Sequence, residues 1–281
     1  MKVRLRECKR EREKDEFYKA FQSKGKRHFR KLYFVNNKKF YDGYGSYLFN
    51  GKKYVYDRSM YEKQKLLFDL CKINNKILEI GTYLGHSVLI MLLANPKINI
   101  TAIDISDVYA KPSLKYLQKQ FPDAKINFIK NDSIKALSSL KEKFDIFHVD
   151  GAHEHEIISK EFLFLLNLGK NKKVKILFDD LYCMPHLKEN ILKNFQIKKH
   201  FISDMKYPSW YVEIYVNDKI EQNIKNFKFE NFKILYKYRF IKILLKKLFH
   251  NKMNILFYRL FLKKFKILEK IKNKIVNLIY K

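Results

Sequence analysis

The feature that most constrains the fold of this chain is a regular alternation of short apolar strands and helices between residues 76 and 216. Apolar runs such as KILEIG (76–81) and NITAIDIS (99–106) are each followed by a segment with helical spacing of its apolar residues. The run KVKILFDDL (173–181) is the last of these strands, and KKHFISDM and WYVEIYVN then form a closing antiparallel pair. Strands separated by helices of this length form right-handed βαβ units. We therefore predict an α/β fold: a Rossmann-like, doubly wound and mostly parallel seven-stranded sheet with helical N- and C-terminal extensions.

The charge of the chain is distributed unevenly along its length. The net charge is +30, yet residues 219–281 alone hold 18 Lys and Arg against 3 acidic residues, and residues 1–40 hold 15 against 5. We predict three regions: a basic N-terminal arm with an aromatic lid (1–59), a ligand-binding domain (60–218) and a basic amphipathic helical tail (219–281). Part of the charge also follows from a bias toward Lys, Asn, Ile, Phe and Tyr, which AT-rich coding sequence produces by itself.

The cysteines and the N-terminus indicate a cytoplasmic protein. The three cysteines, Cys8, Cys71 and Cys183, are far apart and form no C-x-x-C pair that would suggest a zinc site. The charged N-terminus has no apolar core of a signal peptide. The sequence also contains no stretch of roughly 18 uninterrupted apolar residues.

The C-terminal tail interleaves apolar and basic residues at helical spacing, as in FKILYKYRFIKILLKKLF. A helix of this kind suits an anionic membrane surface, with its lysines over the headgroups, and would place the protein on the inner face of the membrane beside lipid-linked sugars. A helix packed on the domain, a homo-oligomer contact and nucleic-acid binding remain alternatives, since a basic surface binds phosphate without sequence preference.

The polar residues that follow the predicted strands identify a candidate ligand site, because open parallel sheets bind ligands beyond the carboxyl ends of their strands. The first strand runs into EIGTYLGHS, with Glu79 before Gly81 and with Gly85 at the start of the next helix. Asp104 ends the second strand, where a carboxylate can accept hydrogen bonds from ribose hydroxyls. Asp132 ends the third. The glycine spacing alone is weak evidence, since the same spacing also serves close helix packing.

These segments resemble the motifs of class I S-adenosylmethionine (SAM) dependent methyltransferases, chiefly in LEIGTYLGHS, IDIS and FHVDGAHEHE. The resemblance covers about residues 76–216. It implies that SAM is the cofactor, that Asp104 binds its ribose and that Asp132 or Ser133 contacts its adenine. The resemblance further implies that the methionine end is surrounded by Glu79, Gly81, Tyr83, Gly85 and Ser87. A nicotinamide enzyme is disfavoured, because Tyr83 stands where the G-x-G-x-x-G fingerprint requires a glycine.

A second polar group follows the fourth and fifth strands. Asp150 ends HVDG, and Asp179 and Asp180 end ILFDD. Carboxylates that lie together are costly unless a cation neutralises them, and oxygen ligands favour a hard ion such as Mg²⁺. Such an ion lowers the pKa of a coordinated hydroxyl, and a nearby base then removes the proton. His153 is the candidate base. An Asp at this place also serves metal-free methyltransferases, where it orients the substrate.

This second group is similar to that of metal-dependent O-methyltransferases acting on sugars and glycosylated metabolites. The resemblance implies that Asp150, Asp179 and Asp180 are metal ligands and that Asp150 and His153 are catalytic. We therefore expect SAM-dependent, Mg²⁺-assisted methylation of a hydroxyl on a sugar or related small metabolite. An RNA-modifying methyltransferase that holds its substrate with the basic arms is the alternative enzyme. A non-catalytic SAM-binding or membrane-associated scaffold is the alternative outside the enzymes.

Overall fold

The computed structural model describes residues 15–37, 58–152, 154–170, 173–179, 181, 184–202, 208–217, 223–224 and 227. Most of the predicted aromatic lid (33–56), from residue 38 onward, and almost all of the predicted tail lie outside these residues. Met1–Phe229 forms one compact unit and Glu230–Lys281 a second, of which no residue is among those described. Within the described residues, no helix is long and apolar enough to cross a membrane.

The strands and helices alternate as predicted. Seven strands form the sheet: β1 (Lys76–Ile80), β2 (Asn99–Asp104), β3 (Lys125–Lys130), β4 (Ile146–Val149), β5 (Lys173–Phe178), β6 (Gln196–Ile202) and β7 (Trp210–Tyr215). The helices before β1 are α1 (Glu16–Ala20), which continues through a π-helical turn (Phe21–Gly25) into α2 (Lys26–Val35), and α3 (Arg58–Lys72). The helices between the strands are α4 (His86–Ala94), α5 (Ala110–Gln120), α6 (Ser133–Ser139), α7 (His155–Leu168) and α8 (Pro185–Asn194).

The strand order in the sheet is β3-β2-β1-β4-β5-β7-β6. Strands β1 to β5 pair in parallel, whereas β7 is antiparallel to both β5 and β6. The order reverses between β1 and β4, which are adjacent in the sheet although β2 and β3 separate them in the chain. A ligand crevice forms at such a reversal point, beyond the carboxyl ends of the strands. The predicted doubly wound, mostly parallel seven-stranded sheet is confirmed.

Each face of the sheet carries its own apolar core, because successive side chains of a strand point to opposite faces. Ile77 and Leu177 belong to the core shared with α3, α4 and α5. Leu78 and Phe178 belong to the core on the opposite face, which includes residues of α7 and α8. Helices therefore cover both faces, and the carboxyl edge of the sheet is left for the polar residues.

The N-terminal helices are part of this packed domain. Phe17, Phe29 and Leu32 are fully buried in the core that also contains α4. Asp15 caps α1 by accepting a hydrogen bond from the Phe17 backbone N–H at 2.9 Å. The region predicted as a basic arm (1–59) thus includes a segment, residues 15–35, that packs on the sheet domain. This segment is amphipathic: its apolar side chains face the core and its charged side chains lie on the outer face.

Candidate active site

The turn after β1 requires a glycine at Gly81. Its φ is +88°, in the left-handed region that disfavours residues with a side chain. A Cβ at this position would collide with the backbone carbonyl of Asp150 at the end of β4. The Gly81 N–H donates to the carbonyl of Ile103 in β2 at 2.9 Å. Gly81 therefore lets the turn lie directly between the ends of three neighbouring strands.

The carboxylate of Asp104 holds this turn in place. Its Oδ2 accepts hydrogen bonds from the backbone N–H groups of Thr82 at 3.0 Å and Tyr83 at 2.8 Å. Its Oδ1 accepts one from the Ser106 N–H at 2.8 Å. A carboxylate oxygen accepts two hydrogen bonds, so Oδ1 keeps acceptor capacity for a ligand hydroxyl. Asp104 thus has a structural task that the sequence did not predict, beside the ribose contact that it did.

Gly85 serves helix packing. Its φ is +72°, and a Cβ there would lie 3.2 Å from the Cβ of Ser113 on α5. The direction in which a side chain would project from Gly85 faces α5. The ligand contact that the sequence predicts at Gly85 stays a prediction. The missing Cβ lets the start of α4 approach α5 closely, which is the packing role that the same glycine spacing allowed.

Tyr83 adopts the left-handed region at φ +43°, a conformation uncommon for a residue with a side chain. Its ring meets that of Tyr109 edge-on, with the ring centroids 5.2 Å apart. Tyr109 immediately precedes α5. The two hydrogen bonds from Thr82 and Tyr83 to Asp104 offset the cost of this backbone conformation. Tyr83 therefore stands beside the carboxylate predicted to bind the ribose.

Glu79 is fully buried and forms part of a polar network inside the sheet. Its Oε2 accepts a hydrogen bond from the Thr82 hydroxyl at 2.9 Å, and its Oε1 lies 3.1 Å from Nδ1 of His148. Glu79 and His148 are direct neighbours in the register of β1 and β4. Each oxygen of the carboxylate therefore contacts a protein group, and Glu79 supports the glycine turn through Thr82. Its predicted place beside the methionine end of SAM stays a prediction.

Asp132 caps α6, its Oδ1 accepting a hydrogen bond from the Lys135 N–H at 3.1 Å. Ser133, the first residue of α6, lies near Glu161 on α7, whose two carboxylate oxygens have no hydrogen-bond partner within the described residues. Glu161 is fully buried, and this burial, together with the nearby charge of Asp132, raises its pKa to about 7, an effect that the Ser133 hydroxyl opposes. The predicted adenine contacts therefore lie at the start of α6, beside an acidic side chain that favours its neutral form.

The ends of β4 and β5 bring three potential metal ligands together. One ligand atom each of His148, Asp150 and Asp179 lies within 4.8 Å of the others. Backbone hydrogen bonds fix both aspartates at the ends of their strands. The Asp150 N–H donates to the carbonyl of Ile80, and the Asp179 N–H donates to the carbonyl of Val149, both at 2.9 Å. The predicted neighbours Asp150 and Asp179 are thus adjacent. His153 and Asp180, the predicted base and third carboxylate, lie outside the described residues.

Asp179 is also bound by two protein groups. The Lys63 ammonium of α3 lies 2.5 Å from Oδ2, and the Ser209 hydroxyl donates to Oδ1 at 2.7 Å. Lys63 and Asp179 are both almost completely buried, at 5% and 4% exposure. A buried carboxylate is stable only when it is paired, and Lys63 supplies that charge.

A small cavity adjoins this ion pair. Its lining combines polar and apolar side chains: Lys63, Gln64, Ser87, His148 and Asp179 with Leu67, Ile90 and Leu177. The cavity has about 10 Å³ of space for water, close to the minimum that holds one molecule. Ser87, predicted beside the methionine end of SAM, therefore lies next to the carboxylates of the second group.

Comparison with known proteins agrees with this geometry. Residues 78–181 match a family model described as a methyltransferase domain. This part of the chain is therefore similar to a methyltransferase domain. The match spans the glycine turn, Asp104 and the ends of β4 and β5, so it covers both groups of predicted site residues.

Two relatives from Arabidopsis thaliana are similar to part of this chain. A protein named as a caffeoyl-CoA O-methyltransferase is 41% identical over 87 residues, and tapetum-specific methyltransferase 1 is 38% identical over 88 residues. Each alignment covers 29% of this chain and 38% of the relative, so the chain spans less than half of either relative. The solved structure of a methyltransferase from Podospora anserina, bound to S-adenosylhomocysteine, has the same fold. Its TM-score is 0.51 at 16% identity, over 68% of this chain and 88% of that one.

Two residues of the site were missed by the sequence analysis. His148 lies two positions before Asp150 on β4, so the alternation of a strand puts both side chains on the same face, and this signal was available. Lys63 lies on an amphipathic helix rich in lysine, where nothing in the sequence distinguishes a buried lysine from Lys65, which is partly exposed and pairs with Asp69. Only the packing of α3 against the sheet identifies it.

Proposed function

We propose that this protein is a SAM-dependent O-methyltransferase that methylates a hydroxyl group of a sugar or a related small metabolite. The observation that carries the proposal is the position of the Gly81 turn, held by Asp104 at the end of β2 and touching Asp150 at the end of β4. This arrangement puts the predicted cofactor site and the predicted acceptor site side by side at one edge of the sheet. The methyltransferase match over residues 78–181 supports the same assignment.

The residues around the Gly81 turn fit the parts of SAM. The free acceptor capacity of Asp104 Oδ1 suits a ribose hydroxyl. The methionine end would lie along the turn, which packs against Asp150 because Gly81 has no side chain. The start of α6, with Asp132 and Ser133, follows β3 next to β2 and suits the adenine. The acceptor would lie toward Asp150 and Asp179.

The reaction is an in-line displacement at the methyl carbon of SAM. The acceptor oxygen forms a bond to this carbon while the bond from the carbon to the sulfonium breaks, and S-adenosylhomocysteine leaves. The hydroxyl proton must go to a base. We propose His153 for this role, as its position three residues after Asp150 favours it.

The donor set at the ends of β4 and β5 fits a divalent cation. His148, Asp150 and Asp179 offer one nitrogen and two carboxylate oxygens within 4.8 Å of one another, and Asp180 follows directly. We propose that Asp150, Asp179 and Asp180 hold Mg²⁺. A bound Mg²⁺ would lower the pKa of the acceptor hydroxyl.

Release of S-adenosylhomocysteine in the presence of a panel of acceptors tests the proposed activity. The panel should contain nucleotide sugars, free sugars and catechols, since the name of one relative points to a phenolic acceptor. We expect turnover with at least one hydroxyl acceptor, and we expect EDTA to abolish it and Mg²⁺ to restore it. Turnover that EDTA leaves unchanged contradicts the metal role. Binding of SAM without turnover on any acceptor would favour the scaffold alternative.

We propose further that residues 219–281 bind an anionic membrane surface and bring the enzyme to lipid-linked acceptors. The support for this is the excess of 15 positive charges, interleaved with aromatic and aliphatic residues. Sedimentation with vesicles of phosphatidylglycerol and phosphatidylcholine tests it. We expect the whole chain to sediment with the anionic vesicles and a chain ending at residue 229 to stay in solution. Equal sedimentation of the two would refute the proposal.

A further inference from the structure

The buried lysine of α3 occupies the place of a cation at the proposed metal site. Lys63 lies 2.5 Å from Oδ2 of Asp179, and its side chain is 6% exposed. Lys65, two residues along the same helix, has a side chain that is 33% exposed and pairs with Asp69 on the surface. The environment of Lys63 therefore differs from that of Lys65, and the Lys63 ammonium pairs with the buried carboxylate of Asp179.

Both oxygens of Asp179 are already bound by protein groups. Oδ2 accepts from Lys63 and Oδ1 accepts from the Ser209 hydroxyl at 2.7 Å. A divalent ion that used Asp179 would have to share an oxygen with the ammonium or displace it. Two cations on one buried carboxylate repel each other, and little water is present to screen them.

The adjoining cavity has the polar groups that a bound ion or water requires. Gln64 is 3% exposed, and neither its Oε1 nor its Nε2 has a hydrogen-bond partner within the described part of the chain. Buried amides are hydrogen-bonded in native proteins, so the Gln64 amide is a suitable partner for a polar group that enters the cavity. The cavity is lined by Lys63 and Asp179 as well as Gln64.

We infer that Lys63 is the resident cation of the carboxylate site and that a divalent ion binds Asp179 only by displacing the Lys63 ammonium. This inference rests on the proposed function, because it concerns the metal site of the same enzyme. Lys63 is a positioning residue here. Without the ion it holds the Asp179 carboxylate in place, and on binding of the ion its ammonium leaves Oδ2 toward the cavity beside Gln64.

The affinity of the purified full chain for Mn²⁺, followed by electron paramagnetic resonance of the free ion, tests the inference. We expect Lys63→Met to lower the dissociation constant for Mn²⁺ at least tenfold, since the competing charge is gone. Lys65→Met is the matched control and should leave it unchanged. Unchanged or weaker Mn²⁺ binding in Lys63→Met, or no detectable binding in either protein, would overturn the inference.

Two further measurements keep the test decisive if Lys63→Met does not fold. Lys63→Gln is neutral but retains an N–H donor for Asp179, and it should tighten Mn²⁺ binding in the same way. In the wild-type protein, Mn²⁺ should increase the acylation of Lys63 relative to Lys65, measured by mass spectrometry, because a displaced ammonium is no longer paired. Acylation that Mn²⁺ does not change contradicts the displacement.

Binding of S-adenosylhomocysteine to the same samples separates this inference from the proposed function. If Mn²⁺ binding tightens in Lys63→Met but no S-adenosylhomocysteine binds, the competition stands and the methyltransferase assignment fails. If S-adenosylhomocysteine binds and Mn²⁺ affinity does not respond to Lys63, the assignment stands and the competition fails.

Discussion

The carboxylate of Asp104 lies 2.8 Å from the backbone nitrogen of Tyr83 and fixes the glycine turn of β1 to the end of β2. The same oxygen also accepts the Thr82 N–H. One acidic residue thereby shapes the turn and keeps an acceptor site for a ribose hydroxyl. A preformed turn binds a ligand without the cost of ordering it, which increases affinity.

Asp104→Ala should weaken the binding of S-adenosylhomocysteine by about 100-fold, since hydrogen bonds to a charged group contribute roughly 1.5–3 kcal/mol. It should also lower the free energy of unfolding, because the Thr82 and Tyr83 N–H groups lose their acceptor. Asp107→Ala is the matched control, as Asp107 lies three residues further along the chain and pairs with the exposed Lys130. Calorimetric titration and urea denaturation measure the two effects. Equal affinity in the two variants would contradict this role of Asp104.

Gly81→Ala should destabilise the fold by at least about 2 kcal/mol, because the left-handed backbone is strained for alanine and the added Cβ meets the Asp150 carbonyl. Gly25→Ala is the control, since Gly25 has an ordinary helical φ of −56° and a Cβ there would meet flexible side chains. Denaturation midpoints of both variants check this expectation. A loss for Gly25→Ala as large as that for Gly81→Ala would count against the strained turn.

Glu79→Ala should cost about 3 kcal/mol of stability, because it leaves His148 and the Thr82 hydroxyl buried without their acceptor. Glu79→Gln should cost less, since its amide oxygen can still accept from Thr82. Urea denaturation compares the two. If Glu79→Ala and Glu79→Gln lose the same stability, the hydrogen bonds of this network contribute little.

Glu161 should make the fold less stable as the pH rises from about 4.5 to 7. Its pKa is raised from 4.5 to about 7 in the folded protein, so the unfolded chain releases the proton first. The loss is complete above pH 7 and amounts to about 3 kcal/mol. Glu161→Gln should remove this dependence. Unfolding of both proteins at pH 4.5 and pH 7.5 checks it, and an equal change with pH in the two would show that Glu161 is not its source.

The sequence predicted the fold well because the strands are buried and apolar while their ends are polar. This pattern can be recognised from residues that are close together in the chain. It also placed Gly81, Asp104, Asp150 and Asp179 at one edge of the sheet. It could not show that Lys63 pairs with Asp179, because that contact depends on how α3 packs. Nor could it separate the packing role of Gly85 from a ligand contact, since both require the same small residue.

Calorimetric titration of the full chain with S-adenosylhomocysteine tests the central claim most directly. We expect saturable binding at one site per chain, weakened in Asp104→Ala and unchanged in Asp107→Ala. No heat of binding from the folded wild-type protein, with or without Mg²⁺, would contradict the assignment of this domain as a SAM-dependent methyltransferase.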